Sequence, residues 1–192
     1  MMRLGILGST RGTNMLMLID AITKGTLAAT IDVVISNKPD AIILERAKAH
    51  HLNARYLSTE GLNRSDYDKK ISDLLQDYHV DLVVLIGYMR ILSEDFVTLW
   101  HNKVINVHPS LLPAFAGKMD TEVHKAVLNS GIKETGCTIH YVTAQVDAGP
   151  IILQKTAAVL NGDTAETLKA RVQALEGTAL VAAIQNIASL SS

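Results

Sequence analysis

Short apolar runs alternate with helix-like segments along the first hundred residues, and this alternation constrains the fold more than any other feature. The strand-like runs are residues 3–8, 31–36 and 81–87, and the helix-like segments are residues 14–23, 41–50 and 67–78. Strands that alternate with helices form parallel sheets through right-handed crossovers. The pattern therefore predicts an α/β fold.

The second half of the chain continues with less regularly spaced elements. Ser93, followed by two acidic residues, is typical of a helix N-terminus. The predicted elements are helix 93–99, strand 103–107, helix 123–128, strands 138–142 and 151–158, and helix 163–187. The sequence thus predicts one domain over residues 1–192: an open, mostly parallel twisted sheet with a Rossmann-like N-terminal half and helices on both faces.

The composition excludes several classes of protein. The chain carries 18 Lys and Arg against 19 Asp and Glu, which argues against general nucleic-acid or membrane-surface binding because both need a basic excess. The single cysteine, Cys137, cannot form an internal disulfide, and the N-terminal segment lacks the pattern of a secretion signal. We therefore expect a cytoplasmic protein without membrane or nucleic-acid partners.

The segment from Gly8 to Asn14 lies between the first predicted strand and the first predicted helix. Its glycines allow a ligand to approach the backbone, and the free amides of a helix N-terminus suit a phosphate. The spacing is not G-x-G-x-x-G, so a dinucleotide site is not indicated. A tight turn in which Thr13 or Asn14 caps the helix explains the local pattern equally well.

Asn106 and His108 lie at the end of the predicted strand 103–107, His108 directly after it, and Asp147 is at the start of a predicted turn. Residues two apart on a strand share a face, so the amide and the imidazole can converge. Such groups stabilise an oxygen that becomes negative as a nucleophile adds to a carbonyl, which favours acyl or formyl transfer. If Asp147 approached His108, its charge would raise the pKa of the imidazole. A structural histidine and an Asx turn are the alternatives.

Three side chains are candidate metal ligands: Cys137, His140 and His108. Cys137 and His140 lie three apart on a predicted strand and point to opposite faces, so we expect no metal site. Arg90 follows the most buried predicted strand and suits either an anion or a helix-end ion pair. The other polar candidates are expected at the surface: Arg64, Glu176, His50, His51, His79, His101 and His124.

In combination, these segments resemble the phosphoribosylglycinamide formyltransferases, folate-dependent members of the formyltransferase superfamily, over nearly the whole chain. The most specific block is residues 106–113, Asn-Val-His-Pro-Ser-Leu-Leu-Pro. The other matching segments are Gly12-Thr13-Asn14, Ser36-Asn37-Lys38, Glu45-Arg46-Ala47, Met89-Arg90-Ile91-Leu92, Thr138-x-His140, and Asp147-x-Gly149-Pro150-Ile151-Ile152 followed by Gln154. The resemblance implies the formyltransferase fold.

The resemblance also implies transfer of a formyl group from the cosubstrate 10-formyltetrahydrofolate to the primary amine of glycinamide ribonucleotide. His108 would then donate a proton to the tetrahedral oxyanion, Asn106 would hydrogen-bond the formyl oxygen, and Asp147 would keep His108 charged. Residues 1–100 would bind the ribonucleotide phosphate, and residues 101–192 would carry catalysis and folate binding. A monomer or homodimer acting on small molecules is expected.

By the same resemblance, two sets of residues would bind the substrates. The ribonucleotide set is Gly12, Thr13, Asn14, Gln173 and Glu176. The folate set is Arg64, Met89, Arg90, Ile91, Leu92, Asn106, Thr143 and Asp147. The sequence departs from the family in the loop 114–121, which lacks the usual proline and histidine around Gly117, and after Glu176, where the family often has His and Tyr-Pro; the chain ends at Ser192 without a terminal hairpin.

Three alternatives stay open. Sibling enzymes share the block at residues 106–113, so a formyltetrahydrofolate hydrolase or another N-formyltransferase remains possible. Length argues against the hydrolase and the methionyl-tRNA formyltransferases, because both carry an additional domain. The third alternative is a non-catalytic phosphate-binding module, which the fold alone would permit, although pure binding does not require Asn106, His108 and Asp147 together.

Overall fold

Parallel strands build the N-terminal part of the chain, as the apolar runs predict. The computed structural model describes residues 1–190, which divide into two compact units, residues 1–106 and the residues from Val107 onward. The strands of the first unit are β1 (Met2–Leu7), β2 (Ala29–Ser36), β3 (Ala54–Tyr56), β4 (Leu82–Leu85) and β5 (Val104–His108), whose last two residues belong to the second unit. Their order is β3-β2-β1-β4-β5, and all are parallel.

Two of the four helices in this unit, α3 (Arg64–Asp77) and α4 (Glu94–Leu99), begin at a polar side chain that caps the first turn. The side chain of Asn63 accepts a hydrogen bond from the Asp66 amide at 2.9 Å, and the Ser93 hydroxyl accepts one from the Phe96 amide at 3.3 Å. Each cap satisfies an amide that the first helical turn leaves without an intrahelical partner. The helices of this unit are α1 (Thr13–Thr23), α2 (Ile42–Ala49), α3 (Arg64–Asp77) and α4 (Glu94–Leu99).

The carboxyl ends of the parallel strands position the segments that follow them. We call residues 8–14, which follow β1, the glycine loop, and residues 86–92, which follow β4, the β4 segment. Because β1 and β4 are paired in register, with Leu7 opposite Leu85, the two segments leave the sheet side by side. This edge is where open α/β sheets bind ligands.

The second unit is built on an antiparallel pair. Its elements are α5 (Thr121–Ser130), β6 (Glu134–Tyr141), β7 (Ile151–Ala158) and α6 (Ala165–Leu190). The register of β6 and β7 places Thr138 opposite Gln154. Helix α6 packs on β6, β7 and α5, and it buries an apolar stripe that includes Leu168, Val172 and Leu180.

The predicted fold class is confirmed: the chain is α/β, with a seven-stranded, mostly parallel open sheet. Strand β3 was not predicted, because its three residues are largely exposed and carry no apolar run. Strand β6 begins at Glu134, earlier than the predicted residue 138, because pairing with β7 extends it through Gly136. The two compact units divide after Asn106, within β5.

Gly136 allows the close approach of β7 to β6. A Cβ atom at this position would lie 1.9 Å from the Lys155 carbonyl oxygen, a backbone atom that cannot move away alone. We expect Gly136→Ala to lower the free energy of unfolding by about 1–3 kcal/mol, the range for overpacking. Urea denaturation measures this effect, and an unchanged free energy of unfolding in Gly136→Ala would contradict the steric explanation.

No helix within residues 1–190 is both long and apolar enough to span a lipid bilayer.

Candidate active site

A buried carboxylate and two imidazoles meet in the second unit. The Nδ1 atom of His108, at the end of β5, lies 3.3 Å from Asp147 Oδ2. The Nε2 atom of His140, on β6, lies 3.7 Å from Asp147 Oδ1. The three side chains are 4%, 10% and 2% exposed for His108, Asp147 and His140, respectively. The predicted approach of Asp147 to His108 is therefore present.

The backbone around Asp147 holds its carboxylate in place. The Gly117 amide donates a hydrogen bond to Asp147 Oδ2 at 2.8 Å, so the loop 114–121 reaches the same oxygen as His108. Asp147 has a φ of 52°, a left-handed conformation that a non-glycine residue adopts only at a cost. His140 is fixed from its other side, where Nδ1 donates to the Tyr141 carbonyl at 2.9 Å.

The other ring nitrogen of His108 is available for a ligand. Its Nε2 atom is buried and has no hydrogen-bond partner among residues 1–190. With Nδ1 directed at Asp147, Nε2 is the ring atom left to bond a substrate. A buried polar atom without a partner is costly, which makes this atom a functional candidate.

Burial and charge act in opposite directions on the two imidazoles. Burial lowers the pKa of His108, and the Asp147 carboxylate raises it, as does a hydrogen bond with the Phe115 backbone. The net pKa of His108 lies below its ordinary value, because burial is the larger effect. The pKa of His140 is lowered by burial in the same way. Asp147 thus acts in the expected direction, but it does not raise the pKa of His108 overall.

These shifts predict that the protein loses stability in mild acid. Burial lowers the pKa values of His108, His124 and His140, so the unfolded chain binds protons at these sites before the folded chain does. Their stabilising contribution is present above the ordinary histidine pKa of ~6.5 and is lost as the pH falls below it. Each group contributes a slope of at most ~1.4 kcal/mol per pH unit.

Urea denaturation between pH 7.5 and pH 5 checks this prediction. The free energy of unfolding should fall with pH, and the fall should be smaller in His124→Asn, which removes one buried titrating group. A free energy of unfolding that does not change over this range would contradict the prediction.

The loop after His108 is stiffened by hydrogen bonds to the β6 and β7 pair. The Thr138 hydroxyl donates to the Ser110 carbonyl at 2.7 Å and accepts from the Leu112 amide at 3.0 Å. The Gln154 amide donates to the Leu112 carbonyl at 3.0 Å and to Thr138 Oγ1 at 2.9 Å. Thr138 and Gln154 therefore support the loop that follows His108. In the sequence they stood out only as parts of segments that resemble the family.

The glycine loop enters helix α1 through a left-handed residue. Gly12 occupies the N-cap position with a φ of 65°, so the prediction that Thr13 or Asn14 caps the helix is wrong. A side chain at Gly12 would clash, because its Cβ would lie 2.3 Å from Ile43 Cγ1. Thr13 is exposed and Asn14 is buried at the first turn, where helix amides lack intrahelical partners.

The β4 segment presents apolar side chains and one cation. Met89 and Ile91 are 43% and 56% exposed, whereas Leu92 is buried. The Arg90 guanidinium lies 4.7 Å from the centre of the Tyr67 ring and forms a cation–π contact with it. Arg64 is exposed at the start of α3, as predicted.

Two residues expected at the surface are buried instead. Glu176 is 8% exposed, because α6 packs it towards β6. Its charge lies close enough to Cys137 on β6 to raise the pKa of that thiol, together with burial, to about 11. His124 is 1% exposed on α5. Both expectations were wrong because neighbouring polar residues on a helix do not show which face another helix or a sheet covers. Gln173, one turn before Glu176, is exposed.

Asn106 and Thr143, the remaining members of the predicted site, lie on β5 and in the turn after β6, respectively. Asn106 is half-buried on β5, two residues before His108 on the same strand. The Thr143 hydroxyl donates to the Gln145 carbonyl at 3.0 Å within the turn that carries Asp147. Among residues 1–190, no three His, Cys, Asp or Glu side chains are grouped as ligands for a metal ion.

His140 and Gly117 are the contributors that the sequence did not predict as site residues. The signal for His140 was its spacing from Thr138, which places both on one face of β6. The backbone amide of Gly117 has no sequence signal, because any residue but proline carries one. A separate cavity of about 450 Å³, lined by Gln76, Trp100 and Lys103 among others, lies where β4 and β5 begin, at the opposite end of these strands.

A buried carboxylate–imidazole pair at the end of a strand in an open α/β sheet can stabilise negative charge that develops on a substrate oxygen. Comparison with known families identifies the class of protein. Residues 2–184 match the family described as formyl transferase, and the chain belongs to that family.

The chain is also similar to individual proteins and solved structures whose names state a more specific activity. The chain is 38% identical to phosphoribosylglycinamide formyltransferase of Escherichia coli (strain K12), covering 91% of this chain and 82% of that protein. It is 41% identical to the trifunctional purine biosynthetic protein adenosine-3 of Gallus gallus over 97% of its own length, but spans only 18% of that relative. The crystal structure of glycinamide ribonucleotide transformylase 1 from Symbiobacterium toebii matches with a TM-score of 0.91 and 42% identity, covering 96% of this chain and 86% of that one.

Proposed function

We propose that the protein transfers a formyl group from 10-formyltetrahydrofolate to the primary amine of glycinamide ribonucleotide, giving formylglycinamide ribonucleotide and tetrahydrofolate. Family membership supports formyl transfer, and the names of the relatives support the acceptor. The single observation that carries the chemistry is the buried Nε2 atom of His108, which has no hydrogen-bond partner among residues 1–190 and whose ring is held by Asp147.

In the proposed reaction the acceptor amine attacks the formyl carbon directly. A carbon–nitrogen bond forms to the ribonucleotide, and the formyl oxygen becomes negative. His108 Nε2 takes the proton that the amine releases, and the protonated Nε2 and the Asn106 amide then donate hydrogen bonds to this oxygen. The tetrahedral intermediate then collapses, the bond from carbon to N10 of the folate breaks, and N10 takes the proton that the amine has released.

The pKa of His108 suits these reaction steps. Burial lowers its pKa, so much of the imidazole is neutral before reaction. A negative oxygen beside Nε2 raises the pKa, so the imidazole gains the amine proton as the intermediate forms and returns it to N10. Asp147 stabilises the imidazolium and orients the ring through Nδ1, which directs Nε2 at the substrate.

We assign the ribonucleotide phosphate to the amides of Gly12, Thr13 and Asn14. A left-handed glycine at a helix N-cap, with first-turn amides that lack intrahelical partners, is a fitting anion site. Gln173 and Glu176 bind the ribose and neighbouring groups, since a carboxylate accepts hydrogen bonds from hydroxyls.

The folate is bound by the exposed apolar surfaces of Met89 and Ile91, which suit flat rings, and by the exposed charge of Arg64, which suits the glutamate tail. The full set is Arg64, Met89, Arg90, Ile91, Leu92, Asn106, Thr143 and Asp147. In this proposal the protein acts on small molecules in the cytoplasm as a monomer or homodimer. The folate serves as cosubstrate, and no metal ion takes part.

A spectrophotometric assay of folate deformylation tests the function. Purified protein and 10-formyltetrahydrofolate are mixed with and without glycinamide ribonucleotide. Release of tetrahydrofolate that depends strictly on the ribonucleotide supports the proposal. Release without it would identify a hydrolase, and no release in either mixture would indicate another acceptor or a non-catalytic binding module.

A further inference from the structure

Ser9 joins the glycine loop to the β4 segment through two hydrogen bonds. Its amide donates to the Gly87 carbonyl at 3.0 Å, and its hydroxyl oxygen accepts from the Met89 amide at 3.0 Å. The residue is 3% exposed. A short polar side chain thus connects two backbones that follow different strands of the first unit.

A third hydrogen bond sets the direction of the Ser9 hydroxyl. The hydroxyl donates to Asn37 Oδ1 at 2.6 Å. Because a serine hydroxyl has one hydrogen and two lone pairs, donation to Asn37 leaves a lone pair for the Met89 amide. Asn37, which is half-buried just after β2, therefore orients the hydroxyl towards the β4 segment.

The two segments also pack without spare room. Gly87 has a φ of 57°, and a Cβ there would lie 2.2 Å from Thr10 Oγ1. A Cβ on Gly8 would lie 2.9 Å from the Ile86 carbonyl oxygen. A displacement of the glycine loop is therefore transmitted to the β4 segment, because close-packed groups shift together.

We propose that Ser9 is a positioning residue that couples binding of the ribonucleotide phosphate to binding of the folate. The proposal rests on the function proposed above, in which the phosphate binds at residues 12–14 and the folate at residues 89–92. Phosphate binding orders the glycine loop, and the loop, through Ser9, holds the Met89 amide. The coupling is reciprocal, because each ligand must change the affinity of the other by the same factor.

Isothermal titration calorimetry measures this coupling. Tetrahydrofolate is titrated into the protein alone and into the protein saturated with glycinamide ribonucleotide, and the ratio of the two Kd values is the coupling factor. We expect several-fold tightening in the unmodified protein. Ser9→Ala should lower the coupling factor about fivefold, the effect of one buried hydrogen bond.

Two variants of Asn37 test whether the direction of the Ser9 hydroxyl matters, and both leave Ser9 itself unchanged. Asn37→Leu removes the acceptor that orients the hydroxyl, so it should lower the coupling factor like Ser9→Ala. Asn37→Asp keeps an acceptor and should keep the coupling factor, even though its charge weakens phosphate binding itself. Ser72→Ala is the matched control, because Ser72 is an equally buried serine whose hydroxyl accepts from Trp100 Nε1 at 2.9 Å.

The outcomes separate this proposal from the proposed function. A lowered coupling factor in Ser9→Ala and Asn37→Leu, but not in Asn37→Asp or Ser72→Ala, supports it. An unchanged factor in Ser9→Ala and Asn37→Leu, or a factor of one in the unmodified protein that binds both ligands, overturns the coupling and leaves the function intact. Failure of the unmodified protein to bind either ligand overturns both.

Discussion

Replacing His108 with asparagine is expected to lower kcat by about a hundredfold to a thousandfold, the loss typical of a single donor to an oxyanion. The buried Nε2 atom of His108 is the group assigned to the negative oxygen of the intermediate. Its contact is made in the transition state more than in the ground state, so kcat should fall and the Kd of glycinamide ribonucleotide should change little.

The measurement for this variant is the folate deformylation assay with saturating ribonucleotide, together with calorimetric binding of the ribonucleotide. His124→Asn is the matched control, because His124 is also a buried histidine of the second unit and has no part in the proposed reaction. Its kcat should stay within about twofold of the unmodified protein, since its removal leaves the reacting groups in place. Near-normal turnover in His108→Asn would refute the role of this residue.

Replacing Asp147 with asparagine is expected to reduce kcat by on the order of a hundredfold, because the imidazolium of His108 loses the charge that stabilises it. The carboxylate raises the pKa of His108 against the larger effect of burial. Its removal should therefore lower that pKa further, and the protonated fraction of His108 at neutral pH should fall.

Two measurements distinguish this electrostatic role from a structural one. The NMR titration of His108 should move to lower pH in Asp147→Asn, and an unchanged titration would contradict the coupling. In a double variant with His108→Asn, Asp147→Asn should cost little additional activity, because residues that act as one unit are not additive. A full second loss in the double variant would show that Asp147 acts independently of His108.

Local pattern predicted the parts of the site that lie on a single element. The β-branched and apolar runs placed β1, β2, β4 and β5, because a strand that is buried on both faces must be apolar throughout. The two-residue spacing of Asn106 and His108 put them on one face of β5. Ser93 was identified as a cap because the geometry of a helix N-terminus depends on neighbouring residues only.

Other parts of the site required contacts that the local pattern does not contain. The sequence could not show that helix α6 buries Glu176 or that the Gly117 amide reaches Asp147. It also could not show that His140 faces the second oxygen of the same carboxylate. Each of these contacts joins residues far apart in the chain, and each depends on how whole elements pack.

The sequence by itself thus determined the fold class, the order of strands and helices along the chain apart from β3, and the residue types available for stabilising an oxyanion, because hydrophobic periodicity and turn chemistry are local properties. The tertiary structure alone decided the pKa of His108, since burial and the Asp147 charge oppose each other and only the packed site shows which is larger. It also decided that Ser9 joins two neighbouring segments, because the pairing of β1 with β4 brings distant residues within hydrogen-bond distance.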